Sequence, residues 1–161
     1  MRPIRKTGKK GAANRISGNY VKSYYPVDFV SETSKPKYKR KYVIDSTEVA
    51  AECLANIRDK KQEHFVLLTL DGANQLIKNH VVTIGTLNSS LVHPREVFAL
   101  ALEDRAAAII IAHNHPSGNL AISEQDRKVT DIIKNAGEIM NIPLVDHIIV
   151  TSEGHVSVID C

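Results

Sequence analysis

The run AAAIIIA at residues 106–112 constrains this chain more than any other feature. It is far too short to cross a bilayer, which takes about 20 apolar residues. It suits a buried strand instead, and a buried strand needs other elements packed over it. The neighbouring segments supply them. Val49, Ala50, Cys53, Leu54 and Ile57 recur at helical spacing, with Asp45 or Ser46 as the cap and Glu48 three residues after Asp45. Residues 63–70, EHFVLLTL, read as a strand. Asp71-Gly72 opens a turn, and residues 75–84 suggest the second strand of a hairpin. After a loop of small polar groups at 85–93, Pro94 marks a helix start and residues 95–104 continue it. A loop at 113–122 follows the buried strand. Ser123 caps a further helix that is expected to run to about Asn135, where Gly137 weakens it. Residues 145–151 and 156–159 read as strands joined by a turn at Ser152-Glu153-Gly154. Helices alternating with strands, and hairpins at both ends, predict an α/β domain bordering on α+β. Its mixed sheet is flanked by helices.

Charge divides the chain. Residues 1–45 hold 12 Lys/Arg against 3 Asp/Glu, and the rest holds 9 against 15, so a net of +9 precedes a net of −6. The expected organisation is a basic, flexible arm over residues 1–41 and one packed domain over 42–161, a length ordinary for a single domain. No apolar run is long enough for a membrane span, and the basic start lacks the apolar core of a secretory signal. Cys53 and Cys161 are the only cysteines, too few for a disulfide framework or a thiolate metal cluster. The expected compartment is the reducing cytoplasm.

The chemistry gathers in residues 112–126, AHNHPSGNLAISEQD. Two histidines at i and i+2 leave the buried strand, where a continuing strand puts both on one face. Pro116 and Gly118 then turn the chain, and Asp126 stands one turn into the next helix. Two imidazoles and a carboxylate make a ligand set for catalytic zinc, with one position left for water. Zinc lowers the pKa of such a water, and a nearby carboxylate can move its proton. A plainer reading stays open at this point. One histidine can be a packing residue, Asp126 can favour the helix dipole, and Asn114 and Ser117 can be turn formers.

This pattern resembles the JAMM, or MPN, metalloprotein superfamily, and more closely its bacterial RadC-like branch, which carries a DNA-repair label. The superfamily motif stands complete as His113-Asn114-His115, seven residues, Ser123, two residues, Asp126. HNHPSG at 113–118, EHFVLLTLD at 63–71, IGTLNSSLVHPREVF at 84–98 and DHIIV at 146–150 also match that branch in order. The resemblance covers about residues 42–161. It implies one Zn2+ held by His113, His115 and Asp126. It implies that Ser123 steadies the oxygen that turns negative, and that an upstream glutamate shuttles the proton. Glu63 is the best match for that glutamate, with Glu96 as a rival. Asn119-Leu120-Ala121-Ile122 stands where the branch usually has Asp-Pro-Thr-Pro, so the spacing is kept and the stiffness of the prolines is not. The helix-hairpin-helix region of longer members has no counterpart ahead of residue 42.

Three functions follow from these readings. The first is a zinc metallohydrolase of JAMM type, cleaving amide or isopeptide bonds in a peptide or protein substrate. The second is a DNA-associated accessory protein of repair or of a mobile element. In it the basic arm grips DNA, with Tyr20, Tyr24, Tyr25 and Tyr38 among its cations and Tyr42 just beyond it in the +9 stretch of residues 1–45. The third is a non-catalytic MPN interaction module, against which the intact motif argues. Other residues in the matched stretches have smaller expected roles. Ser89 and Ser90 line a cleft or a cap network, Asn114 bonds across the loop and holds the two histidines, and His93 and His147 are structural.

Overall fold

The computed structural model describes residues 42–85 and 92–160. The basic arm, Ser89, Ser90 and Cys161 lie outside the described residues. The elements are α1 (Thr47–Glu52), β1 (His64–Leu70), β2 (Leu76–Ile84), α2 (Pro94–Glu103), β3 (Ala108–Asn114), α3 (Glu124–Met140), β4 (Leu144–Val150) and β5 (His155–Ser157). Residues 108–112 of the apolar run begin β3, a strand buried along its whole length at the centre of a five-stranded sheet ordered β2-β1-β3-β4-β5. β3 runs antiparallel to β1 and parallel to β4, and the two hairpins β1–β2 and β4–β5 close the flanks. The mixed α/β architecture is the one expected.

Alternation along the strands sorts the core into two layers. Val66, Leu68, Leu70, Ile110, Ala112, Ile148 and Val150 pack against Ala50, Ala51, Leu54 and Ile57 of the α1 segment. Phe65, Leu67, Ile109 and Ile111 face the other way, onto Val97, Phe98 and Ala101 of α2 and Val129 and Ile133 of α3. A strand with both faces covered has no polar phase, which is why β1 and β3 read as continuous apolar runs. Each large apolar side chain buried this way contributes about 1.5–3 kcal/mol. His113 shares the phase of Ile109 and Ile111, so it points toward the α3 face.

Local chemistry sets the ends of the elements. Ser46 Oγ accepts the Val49 N–H and caps α1. Asp71 Oδ1 accepts from the N–H groups of Ala73 and Gln75 at 2.9 and 3.0 Å, and Asn74 takes φ 54, which makes the β1–β2 turn.

Three boundaries differ from the sequence expectation, and the first is α1, which ends at Glu52 and gives way to turns although the helical spacing reaches Ile57. His113 and Asn114 belong to β3 rather than to a loop, because His113 pairs with Phe65 of β1 and Asn114 with Val150 of β4. The ladder continues until the His115 N–H donates to Val150 O at 3.1 Å. α3 passes through Gly137 and ends at Met140, capped by Asn141 with φ 54. Gly137 is there for close approach: a Cβ on it would lie 2.6 Å from the Ile142 carbonyl oxygen.

Candidate metal centre

The sheet, one turn and one helix bring the motif residues together. His113 is fully buried at the end of β3. His115 follows on the turn His115-Pro116-Ser117-Gly118, closed by the Gly118 N–H onto His115 O at 3.0 Å, with Gly118 at φ 77. Glycine accommodates that φ without a Cβ penalty. His115 Nδ1 lies 2.6 Å from Asn119 O. A carbonyl brings no hydrogen, so Nδ1 donates and Nε2 is left as the bare nitrogen. Asn119 Oδ1 also accepts the Ala121 N–H at 2.8 Å. Hydrogen bonds accepted by Asn119 thus hold the stretch that lacks prolines.

The donor atoms converge. His113 Nε2 and His115 Nε2 are 3.0 Å apart. Asp126 Oδ1 is 3.1 Å from His113 Nε2, and Asp126 Oδ2 is 4.0 Å from His115 Nε2. Glu63 Oε1 is 3.9 Å from His113 Nε2. Glu63, His113 and His115 each offer a ligand atom, all within 4.8 Å of one another, and form a group able to hold a metal ion. His113 is the closed floor, while the side chains of His115 and Glu63 are 17% and 16% exposed and open the site to solvent. Imidazole nitrogens and carboxylates crowded this closely are a donor set that could coordinate a metal ion.

The compact group is therefore His, His and Glu, with Asp126 beside it. Asp126 also has a structural task. Its Oδ2 accepts the Ser123 N–H at 2.8 Å and the Ser123 hydroxyl at 2.6 Å, and its own N–H donates to Ser123 Oγ at 3.1 Å. Together these form a capping box at the start of α3. Burial alone raises the Asp126 carboxyl, but hydrogen bonds from His113 and Ser123 and the charge of His113 outweigh it and hold it well below the usual range. Glu96 is elsewhere: it pairs with Arg95 Nε at 3.0 Å on the exposed first turn of α2. His93 is the N-cap residue of α2 and makes no side-chain cap bond there.

Three residues matter more than the sequence suggested. Asn114 does not bridge the two histidines. Its Oδ1 accepts the His64 N–H at 2.7 Å, and its amide donates to Lys60 O and Gln62 O at 3.1 and 3.2 Å. It clamps the segment that carries Glu63 onto the strand that carries His113. His147 is fully buried on β4 and sits behind His113, with its Nε2 2.9 Å from His113 Nδ1. Burial pushes its imidazole well below the usual histidine range. Thr130, one turn along α3 from Asp126, contacts His147 Nδ1 at 2.7 Å. Its position four residues after Asp126 was the one available signal.

Residues 43–161 match the family described as the RadC-like JAB domain. The chain belongs to the RadC family. A UPF0758 protein of Methanospirillum hungatei is 53% identical over 98 residues, 61% of this chain and 44% of that protein. A UPF0758 protein of Methanosarcina acetivorans is 42% identical over 129 residues, 80% of this chain and 56% of the relative. One from Staphylococcus aureus is 42% identical over 118 residues, 73% and 52% of the two chains. The RadC-like chain spans about half the length of the curated relatives it matches. Among its described residues, no helix is long and apolar enough to cross a membrane.

Proposed function

We propose that this RadC-family domain binds one zinc ion between His113, His115 and a carboxylate and uses it to hydrolyse amide bonds of a peptide or protein. One observation carries the reading. Two histidine Nε2 atoms face each other at 3.0 Å, with the carboxylates of Asp126 and Glu63 at 3.1 and 3.9 Å from His113 Nε2. At His115 the nitrogen that faces this cluster is the bare one, so electron pairs crowd a spot that favours a cation. When bound, zinc supplies Lewis acidity and lowers the pKa of a water.

The chain's own residues do the rest. Asp126 and His115 complete the ligand set with His113. Glu63, at the open rim, accepts a proton from the water and passes it to the leaving amine nitrogen. Ser123 steadies the developing negative oxygen only by turning its hydroxyl away from Asp126 Oδ2, to which it now donates at 2.6 Å.

A second reading is a metal-poor interaction module, or a DNA-associated protein acting through the arm at residues 1–41. The observation in its favour is that Asp126 Oδ2 is already engaged by two Ser123 donors. Zinc content of the purified protein separates the readings. Wild type with one zinc per chain, and Asp126→Asn with markedly less, supports the hydrolase. Wild type without stoichiometric zinc overturns it, and salt-sensitive DNA binding lost on deleting residues 1–41 then supports the alternative. Glu63→Gln distinguishes two roles. A proton shuttle keeps its zinc and loses about 10²–10⁴ in turnover of a peptide substrate. A ligand loses the zinc itself.

A further inference from the structure

Behind the metal-facing nitrogens runs a closed circuit. Thr130 Oγ1 lies 2.7 Å from the Asp126 carbonyl oxygen and 2.7 Å from His147 Nδ1. His147 Nε2 lies 2.9 Å from His113 Nδ1, and His113 Nε2 lies 3.1 Å from Asp126 Oδ1. The circuit leaves the backbone of α3, crosses β4 and β3, and returns to α3 through the Asp126 side chain. Its members are buried, and His147 and His113 are fully so.

The protons in this circuit follow by counting. A contact of 2.7 Å between a hydroxyl oxygen and a carbonyl oxygen must hold a hydrogen, and the carbonyl has none. Thr130 has one, so it donates to Asp126 O. Its oxygen then accepts, which places the hydrogen of the next contact on His147 Nδ1. The His147 backbone N–H donates to Asp146 Oδ1 at 2.7 Å, whereas its ring contacts Thr130 and His113; a ring that carries its one hydrogen on Nδ1 has no second N–H. Its Nε2 therefore accepts from His113 Nδ1, which leaves His113 Nε2, hydrogen-bonded to Asp126 Oδ1 in this structure, as the nitrogen that a metal ion would take in place of its proton. That nitrogen faces His115 and Asp126.

We propose that Thr130 and His147 are positioning residues that hold His113 in the Nδ1–H form and so present its Nε2 electron pair to the metal. The proposal rests on the zinc reading above. Ligating histidines commonly give their second N–H to a carboxylate, a backbone carbonyl or water, and loss of such a partner costs 10–100-fold in metal affinity. Here the partner is a neutral histidine, which can accept only if its far nitrogen donates. A hydroxyl that touches no ligand side chain makes that choice. Without it, His147 is free to carry its proton on Nε2, opposite the N–H of His113.

The test measures zinc affinity by chelator competition in wild type, Thr130→Val and Thr130→Ser, together with nitrogen NMR of the histidine rings in wild type. Thr130→Val is expected to weaken zinc by 10–100-fold. Thr130→Ser, which restores the hydroxyl, is expected to recover it. The spectrum is expected to show His147 protonated on Nδ1 and bare on Nε2. Wild-type zinc affinity in Thr130→Val, or a serine variant as weak as the valine, overturns the proposal. So does a proton on His147 Nε2. If Thr130→Val does not fold, the wild-type spectrum decides. If wild type takes up no zinc, the hydrolase reading fails by itself, and the metal-free spectrum still decides which way the circuit donates.

Discussion

Replacing Asn114 tests how the sheet holds the site in shape. The side chain is fully buried and makes three bonds to backbone, at 2.7, 3.1 and 3.2 Å. Each such bond is worth about 0.5–1.5 kcal/mol net. Asn114→Ala therefore costs about 2–4 kcal/mol, because the segment 60–64 loses its tie to β3. That amount is a large part of a typical domain's stability. Asn114→Asp is the sharper variant. It keeps the shape and the acceptor for the His64 N–H, but it replaces the amide donor with an oxygen facing Lys60 O and Gln62 O. It should cost at least as much as the alanine. The chain has no tryptophan, so far-UV circular dichroism during urea unfolding is the suitable readout. Both variants should lower the midpoint without changing the slope. Both should also lower turnover of a peptide substrate, since Glu63, the proposed proton shuttle, is carried by the released segment. A change below about 0.5 kcal/mol in either variant, the scale of an ordinary surface substitution, refutes the clamp.

Two further outcomes are expected. Gly→Ala in an exposed helix gains about 1 kcal/mol, but Gly137→Ala sets a Cβ 2.6 Å from Ile142 O and strains the Ile142 N–H bond to Gly137 O. A net loss of about 1–3 kcal/mol is expected, and a variant more stable than wild type in the same urea assay rules out the close approach. The second outcome concerns acid. Burial alone raises the Asp104 carboxyl, but hydrogen bonds from His80 and Thr69 and the charges of His80 and Lys78 hold it below its ordinary value. A depressed carboxylate stabilises the fold above its unfolded pKa of about 4, and the contribution is lost as pH falls through the folded value. Asp104→Asn should be less stable at pH 7 and lose less on going from pH 5 to pH 3. An acid limb as steep as wild type counts against the assignment.

Much of the fold was legible because its signals are local. Ser46 and Ser123 announce helix starts, since a side-chain oxygen meets an N–H only two or three residues on. Pro94 opens α2, and Asp71-Gly72 begins the turn of the first hairpin. The error at Gly137 arose because helix propensity is a local quantity, while the reason for that glycine is the Ile142 carbonyl beyond the helix end. The boundary at His113 was misplaced for a similar cause. Histidine and asparagine look like loop residues, but Phe65 and Val150 pair with them and carry the strand on.

The sequence by itself determined the layered α/β domain, the order of its elements and the spacing of His113, His115, Ser123 and Asp126. These depend on periodicity and on contacts within a turn or two. Only the tertiary structure decided what surrounds those residues. It set Glu63 in the cluster and Glu96 on an exposed turn, made Asn114 the tether of a remote segment, and placed His147 behind His113. That last placement follows from the parallel register of β3 and β4, which sets Ile111 beside His147 and His113 beside Ile149. A register between strands separated by a whole helix is fixed by the packing of both faces at once. No local pattern carries that information.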